Sequence, residues 1–440
     1  MRKNTEQHKQ LRERLSRSVI VDGPHIALDL HGSEGPYIRD LYDSTEYLDF
    51  ATFYASLPLG MNHPDIKSDP ELRERLLVAS LNKVANPDYH SEEVTEFVET
   101  FVRVVGDPEM PKLFFVEGGA LAVENAIKAA FDWKSRRNER AGLETEQLEV
   151  MHLEGAFHGR SGYTLSLTNT EANKIERFPK FNWPRIPVPD CVSLQGAALE
   201  EAERLSLEAA ERFFLERPGK IACVLAEPIQ GEGGDRHMRG EFLRELQDLA
   251  HRHDALFVLD EVQTGCGMTG RNWCYQKLGL KPDIVAFAKK LQVGGIMAGR
   301  RVLEEKQNVF TVPGRISSTW GGGLVDMVRA TLILDIIERD KLVENASHMG
   351  ERLLAGLKKI KDEDFISAVR GSGLMVAFDL PDGLTRDAVF SDLEEREHLL
   401  VLRCGSKSIR LRPPLNVRPE DVDRCVSAIA SSVNRVRLSA

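Results

Sequence analysis

Four short apolar runs, each ending at a polar or glycine-rich point, constrain this chain more than anything else in it. They cover residues 113–116, 221–226, 255–259 and 284–287, and they run into Glu117-Gly118-Gly119-Ala120, Glu227, Asp260 and Ala288-Lys289 respectively. Runs this short, rich in β-branched or aromatic residues, read as strands buried on both faces. Helical patterns lie between them. Val123, Ala126, Ile127, Ala130 and Phe131 share one apolar face, as do Phe242, Leu243, Leu246, Leu249 and Ala250. Alternating strand and helix predicts an α/β domain with a large, mainly parallel sheet. Ligands of such sheets sit beyond the carboxyl ends of the strands, so four polar strand ends point to one shared site.

The two ends of the chain read differently. Residues 37–50 have a hairpin pattern, residues 324–338 form a long apolar helix, and strand-like runs follow at 374–380, 399–402 and 408–412 before a last helix from Pro419. This predicts a small α+β domain built from both termini, 1–60 and 323–440, flanking a large domain over 61–322. A net charge of −10, with no basic stretch interleaved with aromatics, argues against a nucleic-acid partner. No run approaches the ~18 apolar residues of a membrane span, and the polar opening carries no apolar leader, so a cytoplasmic protein is expected. The six cysteines are scattered without metal-ligand spacing, which predicts reduced thiols and no metal centre.

A lysine at the end of a buried strand, Lys289, is either a surface amine or a nucleophile that forms a Schiff base with an aldehyde cofactor. Asp260 shifts the balance, because a buried carboxylate against a protonated ring nitrogen is what pyridoxal phosphate needs; its other reading is a helix N-cap. Gln263, on the same turn, can reach the ring hydroxyl. Gly118-Gly119-Ala120, ahead of an amphipathic helix, offers bare backbone N–H groups to a phosphate dianion, although most such loops are only turns. Phe157 can stack on the ring. Arg160 can fork a substrate carboxylate or form a structural ion pair. Glu227 and Arg410 form either a gate between differently charged substrates or an ion pair between domains. No G-x-G-x-x-G opens a helix, so a dinucleotide enzyme is not expected.

Together, 257–265, 226–234, 157–160, 282–289 and 318–322 resemble the class III pyridoxal-phosphate aminotransferases, the ornithine and 4-aminobutyrate type. The resemblance spans nearly the whole chain. It implies the fold-type I architecture of pyridoxal-phosphate-dependent transferases, a homodimer with active sites at the subunit interface, and Lys289 as the attachment lysine, six residues beyond Asp283. Within the family the likeness is to members acting on L-lysine, carried by 115–126, 156–170, 178–186 and 318–329. That implies transfer of the ε-amino group of L-lysine to 2-oxoglutarate. Arg160 would hold a carboxylate far from the cofactor, with Glu232 near the α-ammonium. Arg410 would leave Glu227 to take the α-carboxylate of the acceptor. Gly119 and Ala120 would hold the phosphate from within the subunit and Thr319 from its neighbour. A 4-aminobutyrate or ornithine aminotransferase, an aminomutase and an inactive homologue are the alternatives.

Overall fold

Three of the four apolar runs form adjacent strands in the middle of a seven-stranded sheet, and the fourth, 113–116, forms one of its edges. Its strands are β1 (Lys112–Val116), β2 (Glu149–Leu153), β3 (Arg185–Ile186), β4 (Ile221–Ala226), β5 (Leu256–Asp260), β6 (Ile284–Phe287) and β7 (Gly294–Ala298), in the spatial order β1-β7-β6-β5-β4-β2-β3. Every neighbouring pair is parallel except those made by β7, which runs antiparallel to both β1 and β6. Helix α1 (Gly119–Ala141) crosses β7, β6 and β4 and seals one face with Val123, Ala126, Ile127 and Ala130, each fully or almost fully buried. The structure, a computed structural model, describes residues 2–360 and 365–439.

Strand β7 goes beyond the sequence reading. Its Gly294-Gly295 start resembles a turn, because glycine weakens a strand signal and marks close backbone approach. The approach is real: a Cβ on Gly294 would lie 2.7 Å from the Gly118 carbonyl oxygen, and one on Gly295 2.7 Å from the Phe287 ring. Only a strand without side chains at those two positions can slide between β1 and β6.

The chain divides into two compact units, Glu74–Glu344 and Met1–Arg73 with Asn345–Ala440. The larger unit runs to Glu344 rather than 322 because the helix Leu324–Arg339 packs on the helix Glu92–Val104, with Arg103 paired to Asp335 at 2.6 Å and to Glu338. The first segment of the smaller unit runs past 60 because Gly35 and Met61 exchange two backbone hydrogen bonds of 2.7 Å and Asn62 donates to the Ser33 carbonyl. That unit holds a four-stranded antiparallel sheet, with Met375–Asp379 between Ser367–Ser372 and Ser408–Leu411, and Leu402–Cys404 on the far edge. A second sheet pairs Tyr37–Arg39 with Glu46–Asp49 antiparallel and Leu399–Leu400 parallel to the latter. No described helix is long and apolar enough to cross a membrane, and the six cysteines are free thiols.

Candidate active site

The carboxyl ends of β1, β5 and β6 converge through one glycine. A Cβ on Gly119 would meet Val262 Cγ1 at 2.9 Å and the Ala288 Cβ at 3.6 Å. The helix start after β1 therefore touches both the turn carrying Asp260 and Gln263 and the residue before Lys289. Gly118 takes φ +85°, and a side chain added there would meet nothing within 4 Å, so the loop borders an open cradle. The first helical hydrogen bond is Ala122 N–H to Gly118 O, 3.1 Å, which leaves the N–H groups of Gly119 and Ala120 ahead of the ladder at the positive end of a 23-residue helix.

Asp260 is 6% exposed and anchored on both oxygens, accepting from Val262 N–H at 3.0 Å and meeting His158 Nδ1 at 2.8 Å. His158 lies inside the Phe-His-Gly-Arg motif, yet the sequence reading gave it no role. Its place is fixed from behind, where its N–H donates to Thr168 Oγ1 at 2.9 Å. The loop itself packs on α1, because a Cβ on Gly159 would lie 2.6 Å from that of Ala120.

Lys289 is half-buried at the first position of a 3₁₀ turn, Lys289–Leu291, that joins β6 to β7. Its φ of +53° is a strained conformation for a residue with a side chain, of the kind that clusters at functional sites. The Gln292 N–H, 2.8 Å from the Lys289 carbonyl, closes the turn. Lys290 is buried, 2% exposed, and its charge is felt at the Cys266 thiol, which burial pushes up to about 12.

Glu227, at the end of β4, accepts from Phe157 N–H at 3.0 Å and Gly231 N–H at 3.2 Å, so it ties the aromatic loop to the turn that follows β4. Burial, only partly offset by His158 and by these two donors, pushes its carboxyl up to about 7. Gly231 is needed there: a Cβ would lie 2.5 Å from the Gln263 carboxamide oxygen. Glu232 pairs with Lys174 at 2.6 Å, and the same ammonium lies 5.5 Å from the centre of the Phe157 ring. Nothing in the polar stretch around Lys174 announced this contact. Arg160 is exposed and, among the described residues, has no ion pair.

Thr319 is exposed on a loop whose next residue, Trp320, lies under Lys83 Nζ, 3.8 Å from the ring centre. Lys83 also pairs with Glu117 at 2.8 Å, and Asn86 holds the Gly322 carbonyl at 3.0 Å, which ties this loop to the end of β1. Arg410 belongs to the smaller unit, where it is 1% exposed on Ser408–Leu411 between Ala377 and Leu402.

A model of the family described as aminotransferase class-III matches residues 19–433 of the chain. The L-lysine-epsilon aminotransferase of Amycolatopsis lactamdurans is 51% identical over 430 residues, 97% of this chain and 96% of that one. Its counterpart from Streptomyces clavuligerus is 50% identical over 436 residues, 97% and 95% of the two chains. Among solved structures, a lysine aminotransferase from Mycobacterium tuberculosis superposes with a TM-score of 0.95 at 50% identity, covering 97% of this chain and 99% of the other.

Proposed function

Because the chain belongs to the class-III aminotransferases, enzymes whose cofactor is pyridoxal 5′-phosphate, we propose that it transfers the ε-amino group of L-lysine to 2-oxoglutarate. The products are glutamate and 2-aminoadipate 6-semialdehyde, which closes to a cyclic imine as its α-amine attacks the aldehyde and water leaves. The observation that carries this reading is that the segment of Phe157 bears one kind of anchor, Arg160, while a second kind, Glu232, holds an ammonium 5.5 Å from the centre of the Phe157 ring. Arg160 is a guanidinium without a carboxylate among the described residues, and Glu232 is a carboxylate already holding an ammonium. A substrate with a carboxylate and an α-ammonium at one end satisfies both and leaves its far amine for chemistry.

The residues fit the cofactor. Its phosphate suits the open cradle at Gly118 and the N–H groups of Gly119 and Ala120. Its ring nitrogen suits Asp260, a carboxylate that is buried and braced by His158. Phe157 would cover the ring and Gln263 would take its hydroxyl. When bound, the cofactor supplies an electron sink and an aldehyde carbon that accepts the amino group.

Around that chemistry the side chains divide the work. Asp260 holds the proton on the ring nitrogen. Lys289 Nζ, once free, would take the proton from the substrate carbon and deliver it to the carbon that had carried the aldehyde. Arg160 holds the donor's α-carboxylate and later the distal carboxylate of the acceptor, and Glu232 takes the donor's α-ammonium. Arg410 is the proposed second anchor, for the α-carboxylate of 2-oxoglutarate, and Glu227 its proposed counter-ion when lysine is bound. The two backbone donors on Glu227 support a fixed rather than a moving carboxylate. We further propose a cytoplasmic homodimer in which Thr319 serves the neighbouring subunit's phosphate site; the six free thiols support a reducing compartment.

The test is incubation of the protein, supplied with pyridoxal phosphate, with L-lysine and 2-oxoglutarate, following glutamate and the cyclic imine by mass spectrometry. Both products are expected together. Glutamate formed only from 4-aminobutyrate or ornithine would move the substrate while keeping the reaction class.

A further inference from the structure

The chemistry above makes no use of Glu124, yet this side chain holds the far end of the loop that bears Phe157 and Arg160. Glu124 is half-buried on α1, about one turn beyond Ala120. Its Oε1 accepts from Ser161 Oγ at 2.9 Å and from Thr164 N–H at 3.0 Å. The Ser161 N–H donates to Thr164 Oγ1 at 3.1 Å, and the two hydroxyl oxygens lie 3.0 Å apart. With the Thr164 hydroxyl donating to Ser161 Oγ, each of these protons has an acceptor, and the carboxylate, which only accepts, sets their direction. The middle of the loop hangs on Thr168, whose Oγ1 accepts from His158 N–H at 2.9 Å and donates to the Gly159 carbonyl at 2.7 Å. Its near end hangs on Glu227 through Phe157 N–H. Arg160 therefore sits between the Thr168 fixing and the Glu124 fixing.

We propose that Glu124 is a positioning residue that sets the length of amine the site accepts, by fixing Arg160 at a set distance from the phosphate cradle. This rests on the lysine reading above, with Arg160 as the carboxylate anchor. One rigid helix holds both reference points, the cradle at Gly119 and Ala120 and the clamp at Glu124, with a rise of about 1.5 Å per residue between them. A Cβ on Gly159 would lie 2.6 Å from that of Ala120, so loop and helix are in register and cannot slide past one another. A donor pinned by its carboxylate at Arg160 then delivers its far amine to one place, and a chain one methylene shorter, such as L-ornithine, stops short of it. Without the carboxylate, Ser161 Oγ and Thr164 N–H lose their acceptor and the Arg160 end of the loop slackens. The guanidinium can then follow a shorter substrate inward, while Phe157 keeps its own tether to Glu227.

The test compares kcat/KM for L-lysine and for L-ornithine in enzyme supplied with pyridoxal phosphate and 2-oxoglutarate. In Glu124→Ala the lysine-to-ornithine ratio should fall roughly tenfold, the low end of what one methylene is worth. Ser161→Ala removes one of the two donors and leaves Thr164 N–H its acceptor, so it disturbs folding less and should lower the ratio by roughly threefold on the same scale. Glu124→Gln keeps the acceptor oxygen and should keep most of the wild-type ratio. A poorly folded fraction lowers turnover of both substrates by one factor and leaves their ratio alone, so it cannot imitate the shift. A ratio unmoved in both Glu124→Ala and Ser161→Ala, with ornithine turnover that stays undetectable counted as unmoved, would overturn the proposal, as would a ratio in Glu124→Gln as low as in Glu124→Ala. A wild-type enzyme that turns over 4-aminobutyrate or ornithine but not lysine would overturn the functional reading and this one with it. Lysine turnover with an unmoved ratio would overturn this one alone.

Discussion

Burial pushes the Asp49 carboxyl up to about 6, against two backbone donors, Ala51 and Thr52 N–H at 2.9 and 2.8 Å, that pull the other way. A carboxyl whose folded value exceeds its unfolded one favours the fold when protonated. Its contribution is therefore complete below about 4 and is lost as pH rises through about 6, a swing on the order of 3 kcal/mol. Asparagine keeps the acceptor oxygen and removes the titration, so Asp49→Asn should gain stability relative to wild type between pH 4 and pH 7. Urea midpoints of both proteins at the two pH values check this, and a pH-independent difference would refute it. At this scale the sequence was legible wherever a side chain ends a strand. Lys289 and Asp260 follow from the apolar runs before them, and both sit where those runs stop. His158 had its motif as a signal that went unused. Lys174 had none, because its meeting with Glu232 is 58 residues distant in sequence and is made by loop stitching rather than by periodicity.

Among elements, the start of α1 is the tightest joint. A methyl at Gly119 must displace Val262 from 2.9 Å, and Val262 lies between Asp260 and Gln263. A methyl at Gly118 meets open space but has to adopt φ +85°. Gly119→Ala should thus weaken cofactor binding by roughly tenfold with little change in thermal midpoint. Gly118→Ala should instead cost about 1 kcal/mol of stability through backbone strain. Titration of cofactor absorbance beside thermal melts separates the two effects, and equal behaviour of the pair would discredit the joint. The parallel strands and amphipathic helices of the sheet were readable from period and run length. Strand β7 was not, since what fits it between β1 and β6 is the absence of side chains at Gly294 and Gly295, and a missing side chain leaves no pattern.

For the molecule as a whole, the domain seams were the least legible feature. Linkers betray themselves by composition, whereas here the seams fall beside Arg73 and Asn345, within sequence of ordinary polarity. Assembly leads to a further expectation. If Thr319 serves the neighbour's phosphate site, mixing Lys289→Ala subunits with Thr319→Val subunits creates heterodimers with one intact site, and activity should rise to roughly a quarter of wild type after random exchange, a reckoning that follows from paired, isologous sites. Activity no greater than the sum of the two parents would place Thr319 in its own subunit's site.

The 3₁₀ turn under Lys289 has a consequence in concentration. Both flanking strands are rungs of the central sheet and the turn is closed by Gln292, so if Lys289 is the attachment lysine proposed above, its backbone cannot retreat when the amine lets go. The freed Nζ roams only as far as four methylenes allow, which amounts to a local amine concentration on the order of 1 M or more. In that proposed role any dissolved amine would have to outbid the tethered rival, and the enzyme would reset itself after each turnover without waiting for a collision.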